Sequence, residues 1–191
     1  MTGRRLLPLL LVASAACVSI KPQPDPSRFF VLTPAVPAPA TRQAGTVLGV
    51  GPVTLPGYLR RTQIVTRDGD AELRISENER WAEAFPAMAT RVLTEDLVAA
   101  LGVERGVSYP WQRTLAPSPV VEVEFTQFER DTSGAALLEA SWRMRRGATS
   151  RPGHSRITEA ARGPEMAESA AALSRALGRL AEEIAAAAGA P

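Results

Sequence analysis

Two stretches of this chain, VVEVEFTQFE from Val120 to Glu129 and LLEASWRMR from Leu137 to Arg145, alternate apolar and polar residues with a period of two. In the first, Val121, Val123 and Phe125 share one face, while Glu122, Glu124 and Thr126 share the other. In the second, Leu138, Ala140, Trp142 and Met144 oppose Glu139, Ser141, Arg143 and Arg145. Successive side chains of a strand point to opposite faces, so each run has one wet face and one that must be covered. Asp131 to Gly134 turns the chain back between them. These runs restrict the fold to a sheet with a second layer packed on one side.

Two helical patterns can supply that layer. Phe85, Met88, Val92, Leu93, Leu97, Ala100 and Leu101 recur at three- and four-residue intervals before Gly102, which predicts a helix starting near Glu83 with Pro86 in its first turn. Ser76 and Glu79 have the spacing of a capping box just ahead of it. Met166, Ala170, Leu173, Leu177, Leu180 and Ile184 form the stripe of a C-terminal helix.

Further strands are predicted at Arg28–Leu32, at Thr46–Leu55 with an irregularity near Gly49, Gly51 and Pro52, and on both sides of the Asp68–Gly69 turn. Val107–Trp111 and, more weakly, Ser155–Arg162 add two more. The proline-rich run from Thr33 to Gly45 reads as a surface loop, and PGYLRRTQ as a turn exposing apolar and basic residues. The expected fold is a single α/β domain over 28–191, a mixed β-sheet packed with two main α-helices.

The only cysteine lies outside that domain. MTGRRLLPLLLVASAAC has a basic head at Arg4 and Arg5, a short apolar middle and small residues before Cys17, the layout of a secretory signal peptide over 1–16. The apolar run is too short to span a bilayer. Ser14 to Cys17 resembles the lipobox of bacterial lipoproteins, with serine where leucine is usual, and makes Cys17 the lipidation site and the new first residue. A plain signal peptide with an incidental cysteine is the alternative. Two or more acyl chains anchor a protein stably where one is marginal. Residues 17–27, with three prolines between Val18 and Ser27, form a tether reaching on the order of 30 Å.

Of 22 Lys and Arg residues, Arg4 and Arg5 fall in the signal segment, which leaves 20 against 20 Asp and Glu. A neutral mature chain gives no support to nucleic-acid binding. His154 is the only histidine, so a histidine metal cluster is excluded, and it reads as an ordinary surface side chain. Gly49 and Gly51 lack the third glycine of a dinucleotide loop. Glu122 and Glu124 read as a solvated sheet face, and Trp81 and Trp111 as packing residues. Tyr58, Leu59, Arg60 and Arg61, in the turn after Pro56 and Gly57, are the candidate partner contacts, since loops on a rigid scaffold carry binding and Tyr and Arg are favoured anchors. No catalytic residue and no cofactor is expected beyond the covalent lipid on Cys17.

GVGPVTLPGYLRRTQIVTR, SENERWAEAFPAMATRVLTEDLVAAL, VSYPW and LSRALGRLAEEIA together resemble the auxiliary lipoproteins of ABC-type transport systems, the PqiC/YmbA-like group, over roughly Arg28 to Ala187. The resemblance implies a non-enzymatic lipoprotein on the periplasmic face of the outer membrane. Its implied partners are an MCE-domain protein spanning the periplasm and inner-membrane transport components, with lipids moving between membranes. A homo-oligomer matched to a ring-shaped partner is compatible with this reading. An independent periplasmic lipid-binding carrier is the alternative.

Overall fold

A computed structural model describes residues 24–112 and 114–189. The expected signal peptide, Cys17 and most of the expected tether lie outside the described residues. The sheet comprises β1 Arg28–Phe30, β2 Gln43–Thr54, β3 Gln63–Asp68, β4 Glu72–Trp81, β5 Val103–Ser108, β6 Val120–Asp131, β7 Ala136–Arg146 and β8 Thr149–Glu159. Helices α1, Phe85–Leu101, and α2, Met166–Gly189, pack together and against this sheet.

The two alternating runs become β6 and β7, paired antiparallel. Val121 lies opposite Met144, Val123 opposite Trp142 and Phe125 opposite Ala140, so apolar faces meet under the helices. The register slips between Phe125 and Gln127, where β6 carries one extra residue. That bulge reverses the phase, turning Phe128 into the core and Glu129 to the opposite face. Strand β8 continues the sheet beyond β7, and Gly153 leaves room there for the Trp142 ring, which a Cβ would meet at 2.1 Å.

The other edge of β6 is shared. Strand β2 runs parallel to its first half, from Gly49 opposite Val120 to Thr54 opposite Glu124. Strand β3 runs parallel to its last residues, with Thr66 opposite Arg130 and Arg67 opposite Asp131. The sheet therefore forks, with β5 beyond β2 on one branch, and β4 and β1 beyond β3 on the other. Gly51 has φ of 123° and no room for a Cβ, which would sit 2.7 Å from the Tyr109 Cβ. This is the irregularity expected in β2.

Several boundaries differ from the sequence reading. Ser76 and Glu79 do hydrogen-bond, Glu79 N to Ser76 Oγ at 3.1 Å, but inside β4. Gln63 pairs with Arg80 and Val65 with Ile75, so these residues close a bulge instead of capping a helix. Helix α1 begins at Phe85, with Ala84 as N-cap and Pro86 in the first turn. Gly102 ends it in the left-handed conformation, as expected. Strand β1 stops at Phe30, β2 starts early at Gln43, β5 overlaps the VSYPW segment only at Val107 and Ser108, and β8 starts at Thr149, ahead of the predicted Ser155, and ends at Glu159. In each case the pairing partner sets the limits.

The proline-rich loop after β1 is strapped to the helices. Asp96 of α1 is fully buried, and its Oδ1 accepts hydrogen bonds from the Ala35 and Val36 amides at 2.8 and 2.9 Å, while Oδ2 has no partner. Burial pushes the carboxyl up to about 6, against the two amide hydrogen bonds that favour its charged form. The folded chain thus holds this proton more tightly than the unfolded chain does. Its contribution to stability is fullest below about pH 4 and is lost as pH rises towards 6, by about 3 kcal/mol at most. Asp96→Asn keeps the acceptor and removes the titration. Urea unfolding from pH 4 to 8 is expected to show the wild type losing stability relative to this variant across that window; parallel curves would refute the assignment.

Candidate functional site

Between Glu124 and Arg130 the shared edge of β6 meets neither β2 nor β3. The chain from Leu55 through a 3-10 turn at Gly57–Leu59 to Arg61 reaches this stretch through the Tyr58 side chain, which hydrogen-bonds Glu129. Leu55 and Leu59 are buried there, which corrects the expectation that the turn exposes its apolar residues. A turn packed on a fork has core neighbours that an isolated turn lacks.

Glu129 faces the same gap with its side chain wholly buried. It accepts hydrogen bonds from Arg67 Nε at 2.6 Å, Tyr58 Oη at 3.0 Å, Gln127 Nε2 at 3.2 Å and the Phe128 amide at 2.9 Å. A carboxylate out of water is tolerated when paired and hydrogen-bonded in this way. Burial, followed by the neighbouring Glu129 charge, pushes the Tyr58 hydroxyl up to about 12, so it remains a donor. Tyr58 therefore fastens the turn to the sheet.

The turn and the start of α1 bound a groove of about 370 Å³, lined by Val53, Leu55, Arg60, Arg61, Thr62, Ala84, Phe85 and Pro86. Its floor is rigid. Phe85 stacks on Trp81 at 4.9 Å between centroids and meets Phe128 at 5.2 Å, and Phe128 stacks on Phe125. Arg61 is aimed by a hydrogen bond from its Nε to the Tyr58 carbonyl at 2.7 Å, and Arg60 is exposed. Neither forms an ion pair among the described residues. The groove is an apolar trough with two uncompensated guanidiniums on its rim.

The remaining singled-out residues sit elsewhere. On the uncovered sheet face Glu122 pairs with Arg145 at 2.7 Å and Arg143 at 3.9 Å, beside a depression of about 410 Å³ with a mixed polar and apolar lining. Glu139 joins Arg156 and His154 on that face, and the Arg156 hydrogen bond holds its carboxyl below the usual range. Trp81 is core, whereas Trp111 is only half-buried, edge-on to the exposed Tyr109. Among the described residues no group of three or more His, Cys, Asp or Glu could hold a metal ion, and no helix is long and apolar enough to cross a membrane. Sequence reasoning reached Tyr58, Arg60 and Arg61 but missed Arg67, Glu129 and the α1 wall.

Of the four segments that carry the resemblance, two supply this groove: Val53, Leu55, Arg60, Arg61 and Thr62 come from GVGPVTLPGYLRRTQIVTR, and Ala84, Phe85 and Pro86 from SENERWAEAFPAMATRVLTEDLVAAL. The family of ABC-type transport auxiliary lipoprotein components matches residues 30–185. The chain belongs to that family. No curated protein matches it. Among solved structures, an uncharacterized protein aligns with a TM-score of 0.69 and 18% identity, over 84% of this chain and 97% of that one. A Xanthomonas campestris protein of the DUF330 family aligns with a TM-score of 0.60 and 18% identity, over 82% and 92%. These likenesses show that the auxiliary-lipoprotein chain shares their fold.

Removing Arg67 would leave Glu129 buried without its charge partner, a loss of about 3–5 kcal/mol. Arg67→Ala is expected to fall in that range by urea unfolding, and Arg67→Ala with Glu129→Gln to recover much of it. A single-variant loss under about 1 kcal/mol would show that the ion pair does not hold the fork.

Proposed function

We propose that this chain is a non-enzymatic auxiliary subunit of an envelope lipid-transport system, held at the periplasmic face of the outer membrane by lipid on Cys17. It docks the outer end of a periplasm-spanning MCE-domain protein that works with inner-membrane transport components. Membership of the transport auxiliary lipoprotein family over residues 30–185 carries this reading. In mechanism the protein is a tether and a grip. The acyl chains fix one end, the proline-rich segment sets the reach, and the turn Tyr58–Arg61 meets the partner. Arg60 and Arg61 supply the exposed charge, while Tyr58 and Leu59 hold the turn in place. Guanidiniums without carboxylate partners are available for such a contact.

The test is affinity purification of the full-length protein from detergent-solubilised envelopes, with mass spectrometry of co-purifying polypeptides and of the bait's N-terminus. MCE and ABC components are expected, together with an acylated Cys17, and Cys17→Ala is expected to release the protein from the membrane fraction. Recovery of the bait alone with a bound lipid would favour the independent carrier, and a Cys17→Ala protein still bound and active would end the tether account.

A further inference from the structure

We infer that the groove between the Tyr58–Arg61 turn and the start of α1 binds the acyl chain of an anionic amphiphile, with its acidic head held by Arg60 and Arg61. Three observations lead there. The floor is apolar, from Val53, Leu55, Phe85 and Pro86, and is fixed by the stacked rings of Trp81, Phe85, Phe128 and Phe125. A floor that need not rearrange spends no binding energy on ordering itself. On the rim, Arg60 and Arg61 have no acidic partner among the described residues, and guanidiniums recognise carboxylate and phosphate through paired hydrogen bonds.

The third observation separates a lipid from a peptide. Much of the backbone around the groove is already engaged within the chain. The Leu59 and Arg60 amides bond to the Pro56 and Gly57 carbonyls, the Thr62 carbonyl accepts from Trp81, and Pro86 has no amide proton. An extended peptide would find few backbone partners along such walls for strand-like pairing. An acyl chain has none to satisfy.

The inference rests on the transport reading for the source of the amphiphile. It also gives that reading a cargo class, a single-chain or partly extracted acidic lipid.

The experiment is photo-crosslinking of the full-length protein in zwitterionic nanodiscs, using a long-chain alkyl phosphate that carries a diazirine, with an alkyl ammonium of equal length as control. Adducts are expected in the tryptic peptides Gln43–Arg60 and Trp81–Arg91, roughly ten-fold stronger for the phosphate. Arg60→Glu changes an exposed residue with no partner among the described residues and is expected to weaken labelling by a similar factor at unchanged melting temperature. Ala84→Trp, which fills the groove from an exposed position, is expected to abolish it. Equal labelling by both probes, adducts scattered over the surface, or variants that label like the wild type would overturn the inference.

Co-purification of transport components with Ala84→Trp, run alongside, separates the two readings. Its loss, with no phosphate labelling of the wild type, would make the groove a protein-docking site and leave the transport reading standing. Specific labelling without any recovered partner would retain the groove as an amphiphile site and remove the transport reading.

Discussion

Strand β6 has two hydrogen-bonding edges and three partners. Strand β7 takes one edge along almost its whole length, so β2 and β3 must divide the other. Both run parallel to β6, and neither covers its middle. Bare strand edge inside a domain has to be covered, and the chain between β2 and β3 covers it through side chains, with Tyr58 reaching Glu129. That requirement explains why Leu55 and Leu59 are buried and why a half-buried tyrosine lies in a turn. It also explains the location of the groove, which is what remains between the covering turn and the first turn of α1.

Glu129 belongs to the same constraint. The bulge between Phe125 and Gln127 places Phe128 in the core and leaves Glu129 facing the gap. A buried carboxylate is weak evidence for stability, because apolar replacement of a buried pair is often neutral. Here it fixes position, since its donors come from β3, from the turn and from β6 itself. One acceptor ties together three segments that the fork would otherwise leave apart, and Tyr58 then sets Arg61 through its carbonyl.

What was legible in the sequence follows from the range of the interactions concerned. The alternation of β6 and β7 and the stripes of both helices are local periodicities, and Val121, Phe125, Leu138, Trp142, Leu173 and Ile184 all lie in the core as read. Ser76 and Glu79 form the hydrogen bond their spacing implies, yet a bulge uses it as readily as a cap. The pairing of Val65 with Ile75 and Gln63 with Arg80 decides between them, and it is invisible locally. Leu59 was misread for the same reason, because its neighbours come from strands distant in sequence. Arg60 and Arg61 were accessible as exposed basic turn residues, while the opposite wall of Ala84, Phe85 and Pro86 read only as a helix start. Glu129 was hidden by the phase change, which a period-two reading carries straight through.

The shape of the groove bears on what it can do. Its apolar walls are side chains largely committed to the core, Leu55 and Phe85 above all, so they add little fresh surface for a ligand to cover. Binding strength scales with the apolar area withdrawn from water, and a trough open along one side withdraws only part of an acyl chain. Weak association on a preformed surface reverses quickly, because affinity differences reside mainly in the off-rate. Storage calls for an enclosed cavity, whereas passing a molecule between partners calls for brief, oriented contact. An open trough with arginines at its rim, beside the turn assigned to the partner, is suited to the second task.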